Sequence, residues 1–190
     1  MHNNLPSYFF FIDTFQKDHI RKLDKEIAII YRNYSINHNK ELILQIKKIC
    51  KKDKRKFFLS NNVRLAINLD LDGVYLPSFN KNLNINTLNA RKKFTIIGSA
   101  HSIMEIRIKE KQNVELIFIS SLFKTKKNKQ FLDPVKFNLL TLKTYKKVIA
   151  LGGINSKNLN KLNMVKAYGL AGISYFEKND NIKIKIKNKK

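Results

Sequence analysis

Cysteine, glycine, proline and acidic residues are all scarce in this 190-residue chain, and tryptophan is absent. With one cysteine, Cys50, no disulfide framework can form within the chain. Cys50 falls with Leu42, Ile46 and Ile49 on the apolar side of a helical pattern, so it reads as a core thiol. No apolar run approaches the roughly eighteen residues that a membrane span needs. The opening Met1 to Pro6 is polar, so no secretory signal is expected either. These absences point to a cytoplasmic protein. No Pro/Gly/Ser-rich linker divides the chain, which predicts one domain over 1–178 followed by a basic tail, 179–190.

The shortage of acid leaves 14 Asp and Glu against 38 Lys and Arg, a net charge of +24. Such an excess ordinarily raises nucleic acid or an anionic membrane as partner. Here the lysines are spread through every segment together with many Asn and Ile, all encoded by A/T-rich codons, so genome composition accounts for them. Nucleic-acid binding would call for clustered cations interleaved with aromatics on one face, which the sequence lacks. The expected partner is a small phosphorylated molecule, favoured by the positive field around any cleft. The tail reads as a solvated end.

What is abundant is Ile, Leu, Val and Phe in short runs that alternate with helical patterns. The predicted strands are Phe9–Ile12, Ala28–Tyr31, Phe57–Leu59, Val74–Leu76, Thr95–Ile97, Ile117–Ile119, Val148–Leu151 and Gly172–Tyr175. Helices are expected at about 19–25, from Leu42 to Cys50, after Asn62, over 80–91, after Ser102, after Asp133-Pro134 and after Asn155. Gly169 reads as a helix C-cap before the last strand. Eight strands, each ending in polar residues or glycine, predict a small (β/α)8 TIM barrel with trimmed helices. An open doubly wound sheet shares the alternation and is separated from the barrel by whether the first and last strands are neighbours. The seventh strand runs into Gly152-Gly153, which serves either as a tight turn or as a cradle for phosphate ahead of a helix start.

Four blocks in order resemble the thiamine phosphate synthase and TenI family of barrels, from Phe11 to about Lys178. They are Asp72-Gly73-Val74-Tyr75-Leu76-Pro77, Gly98-Ser99-Ala100-His101, Phe123-Lys124-Thr125 and Ile149-Ala150-Leu151-Gly152-Gly153-Ile154-Asn155. The resemblance implies thiamine biosynthesis, with a thiazole phosphate pocket at Gly152 and Gly153. The family's synthases join a pyrimidine diphosphate to a thiazole phosphate with Mg²⁺ on the leaving diphosphate, and its TenI branch includes thiazole tautomerases. Carried over by position, Arg32 matches the diphosphate-contacting arginine, Ser99 the serine after strand five and Thr125 the first loop threonine. The family's loop lysine falls on Asn128, next to Lys129. His101 is the one histidine at a strand's C-terminal end and the candidate base.

The departures are equally specific. The synthase Gln-x-Arg-x-Lys is Ile30-Tyr31-Arg32-Asn33-Tyr34 here. Its Asn-Asp pair after strand three falls on Ser60-Asn61 or Asn61-Asn62, and its second acid on Asn80. Mg²⁺ is held by carboxylates and phosphates, so no independent metal site is expected, with Asp13 the nearest substitute. Ser121 stands where the tautomerase branch has a histidine. The serine that follows strand eight in the synthases is expected to fall on Glu177. A second reading is therefore a barrel that binds phosphorylated ligands without turnover, as carrier or regulator.

Overall fold

The computed structural model describes residues 5–34, 39–87, 93–125 and 129–178. The tail 179–190, the end of the predicted 80–91 helix, and Lys126, Lys127 and Asn128 lie outside them.

Eight parallel strands close on themselves: β1 (Tyr8–Ile12), β2 (Ile27–Tyr31), β3 (Phe57–Ser60), β4 (Gly73–Leu76), β5 (Thr95–Ala100), β6 (Leu116–Ile119), β7 (Lys147–Leu151) and β8 (Gly169–Gly172). β1 pairs with β8 through Tyr8↔Leu170 and Phe10↔Gly172, so the open-sheet alternative is excluded. Successive side chains of a strand point to opposite faces. Phe9, Phe11, Ala28, Ile30, Phe58, Tyr75, Ile97, Leu116, Phe118, Ile149 and Ala171 therefore fill the barrel, while their neighbours pack outward against the helices. The plug is aromatic: Phe118 meets Phe9 at 4.9 Å and Tyr75 at 5.5 Å, edge to face, a favoured ring geometry.

The helices are α1 (Lys17–Lys22), α2 (Lys40–Lys52), α3 (Val63–Asn68), α4 (Ile103–Lys111), α5 (Asp133–Thr141) and α6 (Ser174–Lys178). The other five have five to nine residues beside the 13-residue α2, which is the trimming expected of a short chain. α2 begins where the Asn39 side chain accepts the Leu42 N–H, and α3 where Asn62 accepts that of Leu65. The predicted 80–91 helix is replaced in its described part by a single 3-10 turn, Asn84–Thr87. The helix expected after Asn155 is also 3-10, Ser156–Met164.

Strand eight corrects the sequence reading. It runs from Gly169 to Gly172 and ends three residues before Tyr175, which lies in α6. Gly169 is its first residue and no helix cap. A Cβ there would stand 1.9 Å from the Ser7 carbonyl oxygen, so glycine is required by the close approach of the chain's first described turn.

Candidate functional site

The C-terminal ends of the strands form one mouth, as a parallel barrel dictates. On its β7 side the chain turns through Gly152 (φ 99°) and Gly153 (φ 71°), a left-handed path that L side chains rarely follow. The β6 loop lies directly on this turn. Leu122 N–H donates to Leu151 O (2.9 Å) and Phe123 N–H to Gly152 O (3.0 Å). A Cβ on Gly152 would meet Ser121 Oγ at 2.5 Å, and one on Gly153 would meet Phe123 O at 2.4 Å. The glycines thus serve the turn and the packing together.

The polar groups beyond the turn divide into two sets. Asn155 N–H donates to the Asn158 side chain and Lys157 N–H to the Asn155 side chain, a reciprocal capping box. Asn158 Nδ2 also donates to Gly153 O at 2.7 Å. The helix start therefore does not supply the free donor at Asn155 that the sequence suggests. The backbone N–H groups of Gly152, Gly153 and Ile154, by contrast, have no acceptor among the described residues. Successive unpaired N–H groups on a left-handed turn make an anion-binding concavity.

Because β8 stops at Gly172, the residues that follow it are Ile173 and Ser174, not Glu177. β7 and β8 are neighbours through Leu151↔Ala171, so this second turn leaves the barrel beside Gly152. Ser174, two residues past the end of β8, opens α6. Glu177 is exposed and lines a shallow depression with Asp13 and His19.

On the opposite side of the mouth, Arg32 follows β2, its N–H donating to Ile12 O (2.7 Å) and its guanidinium lying 5.2 Å from the centre of the Phe11 ring. Ser60, at the end of β3, is buried beneath Tyr34, whose hydroxyl lies 2.9 Å from Ser60 Oγ. Desolvation pushes the Tyr34 phenol up, opposed by the Ser60 hydrogen bond and by Arg32. Asn80 Nδ2 donates to Asn61 Oδ1 at 2.8 Å. Asn80 is also pinned from below: its carbonyl accepts from Lys109 Nζ (2.8 Å) and Gln112 Nε2 (3.1 Å).

Lys109, fully buried between α4 and the strands, also donates to Pro77 O and Gln112 Oε1, each at 2.8 Å. Burial lowers its ammonium to about 8. Its position three residues after Ile106, on the apolar stripe of α4, was the sequence signal for a buried lysine.

Ser99 is buried in the barrel, with its side chain hydrogen-bonded to Tyr75, whose phenol is raised chiefly by desolvation. His101 and Lys129 come together. They line an open cavity of about 670 Å³ with Ser120, Ser121 and Lys136. His101 Nδ1 lies 2.8 Å from Ser120 O and 3.1 Å from Ser120 Oγ, which fixes the ring at the mouth. Thr125 is half-buried just before the undescribed residues 126–128.

The donor set does not fit a resident Mg²⁺. At the matched positions stand two amides bonded to each other, and no group of three or more His, Cys, Asp or Glu side chains gathers among the described residues.

The family described as "Thiamine monophosphate synthase" matches residues 22–176. A thiamine-phosphate synthase of Persephonella marina is 32% identical over 160 residues, covering 80% of this chain and 74% of that protein. One of Pelagibacter ubique is 33% identical over 159 residues, covering 77% and 72%. Among solved structures, a thiamine phosphate pyrophosphorylase of Pyrococcus furiosus shares the fold with a TM-score of 0.70 and 19% identity, over 89% of this chain and 86% of that one. With barrel, mouth and sequence in agreement, the chain belongs to the thiamine monophosphate synthase family of thiamine biosynthesis.

Proposed function

We propose that this barrel binds thiazole phosphate at its mouth, with the phosphate on the N–H groups of Gly152, Gly153 and Ile154. The observation that carries the reading is that these three donors share one left-handed turn and have no acceptor among the described residues. The turn after β8, at Ile173 and Ser174, flanks the same place. Family membership favours thiazole phosphate as the ligand, and the chain's +24 charge adds a favourable field. Arg32, Thr125 and Lys129 are the cations and hydroxyl best placed by matching for a diphosphate partner. His101 is the imidazole at the mouth, held there by Ser120. The lack of a membrane-spanning helix among the described residues and the free Cys50 support a cytoplasmic setting.

A second reading is binding without turnover, as a carrier or regulator. The Asn61–Asn80 pair favours it, since this part of the mouth has no carboxylate for a metal that helps diphosphate depart. Incubation with thiazole phosphate and the pyrimidine diphosphate, with and without Mg²⁺, separates the two. Thiamine phosphate formed above the protein-free rate establishes a synthase. Thiazole phosphate binding without product establishes the carrier. Failure to bind thiazole phosphate removes both.

A further inference from the structure

At the other end of the barrel lies a cavity of about 350 Å³ that the reading above does not use. It is bounded by the C-terminal end of α2, the start of β3, the α3–β4 loop and Lys93, two residues before β5, all at the N-terminal ends of the strands. Its cationic lining is Lys47, Lys51, Lys54, Arg55, Lys56 and Lys93, against two carboxylates, Asp70 and Asp72. Both acids are already engaged. Lys47 Nζ lies 3.4 Å from Asp70 Oδ2, and Lys56 Nζ lies 2.8 Å from Asp72 Oδ1, while Asp72 Oδ2 accepts the Phe57 N–H at 3.0 Å. Lys51, Lys54 and Lys93 have no ion-pair partner among the described residues.

The helix dipoles do not account for this charge. Lysines at helix C-termini offset the dipole, but the ends of α2 and α3 contribute only about half a negative charge each. They cancel about one of the four excess positive charges. Lys51, Lys54 and Lys93 are solvent-exposed, which leaves their ammonium groups accessible to an anion. Arg55, 3% exposed, holds this wall in place: its two terminal nitrogens donate to the carbonyls of Ile20, Leu23, Asp24 and Ile27, none of which lines the cavity. A cavity of ligand size whose lining carries four more cationic than acidic side chains suits an anion.

We infer that this N-terminal-face cavity binds a small polyphosphate, a molecule with at least two linked phosphate groups, at a site separate from the mouth. Lys51, Lys54 and Lys93 meet its charges. One phosphate alone would leave about two of the excess positive charges unmatched, so a linked chain fits better than inorganic phosphate.

The test uses the full chain and inorganic tripolyphosphate, titrated by calorimetry at about 0.15 M salt, where the screening length is about 8 Å and long-range attraction is weak. Binding should weaken at least tenfold in the Lys51→Glu/Lys54→Glu variant. It should hold within about twofold in Lys143→Glu/Lys166→Glu, an equal charge change at exposed lysines outside the cavity. Equal weakening in both lysine pairs reduces the effect to the general field and overturns the site, as does no binding by the unaltered chain. Loss in Arg32→Ala alone moves the anion to the mouth and also overturns it. As a measurement free of substitution, tripolyphosphate should protect Lys51, Lys54 and Lys93 from acetylation relative to Lys143, and uniform labelling contradicts the proposal. ATP in a parallel titration distinguishes a nucleotide, bound more tightly than tripolyphosphate, from a bare phosphate chain, bound equally.

Discussion

The two sides of the barrel mouth treat their polar groups in opposite ways. Around Gly152 and Gly153 three N–H groups have no acceptor among the described residues, while the glycines pack tightly beneath the β6 loop. Around the ends of β3 and β4 the polar groups close on one another: Tyr34 on Ser60, Asn80 on Asn61, and Lys109 and Gln112 on the Asn80 carbonyl. Free donors cost stability unless something binds them, whereas a closed network costs nothing when empty. The first side keeps donors open where the phosphate is proposed to bind, and the second spends its polar groups on holding shape.

The sharpest way to break the first side is Gly153→Asp. Its Cβ would collide with the Phe123 and Lys124 carbonyls at 2.4 and 2.6 Å, on backbone with φ 71°. We expect a loss of about 3 kcal/mol, read as a shift of the urea midpoint, from overpacking and left-handed strain combined. Ligand binding would fall with it, so this variant tests packing more than phosphate recognition.

The second side carries a pH signature. Lys109 is lowered to about 8 in the folded chain by burial, against its ordinary value of 10.5. Between those values the unfolded chain holds the proton and the folded chain does not, so stability rises with pH across this window. Compared with Lys109→Met, the unaltered chain should gain about 1–3 kcal/mol from pH 8 to 10 in urea titrations. A flat difference would mean that its hydrogen bonds to three oxygens hold the ammonium charged.

The ligand itself provides a milder test of the first side. The thiazole alcohol, which lacks the phosphate, should bind at least tenfold more weakly than thiazole phosphate, about 1.4 kcal/mol by calorimetry. Equal affinities would place recognition on the ring.

How much of this was legible beforehand follows from which interactions are local. Seven strands fall within a few residues of their predicted limits because buried parallel strands announce themselves as apolar runs. Strand eight did not, because Gly169 serves a contact with Ser7, more than 160 positions earlier, and local pattern gives glycine the look of a helix end. That one shift put Glu177 where the chain in fact has Ile173 and Ser174 after the strand. The glycine turn was legible from two residues, but its packing against Ser121 and Phe123 was not. The Asn155 capping box used donors that spacing alone had left open. Lys109 and Gln112 show the same limit, since their acceptors lie 29 to 32 positions away.

The smallest effect expected is on thiazole phosphate binding when the amides are returned to acids. Asn61→Asp/Asn80→Asp should leave that affinity within about twofold while creating Mg²⁺ binding in the roughly millimolar range, as a pair of carboxylates on a flexible rim allows. Tight Mg²⁺ binding by the unaltered chain would contradict the reading of this side as closed.

The measurement closest to the central claim is amide NMR during titration with thiazole phosphate. The N–H protons of Gly152, Gly153 and Ile154 should move downfield as they gain a charged acceptor, while the thiazole alcohol moves them little. Saturable binding that leaves those three amides unshifted would contradict the phosphate site on this turn.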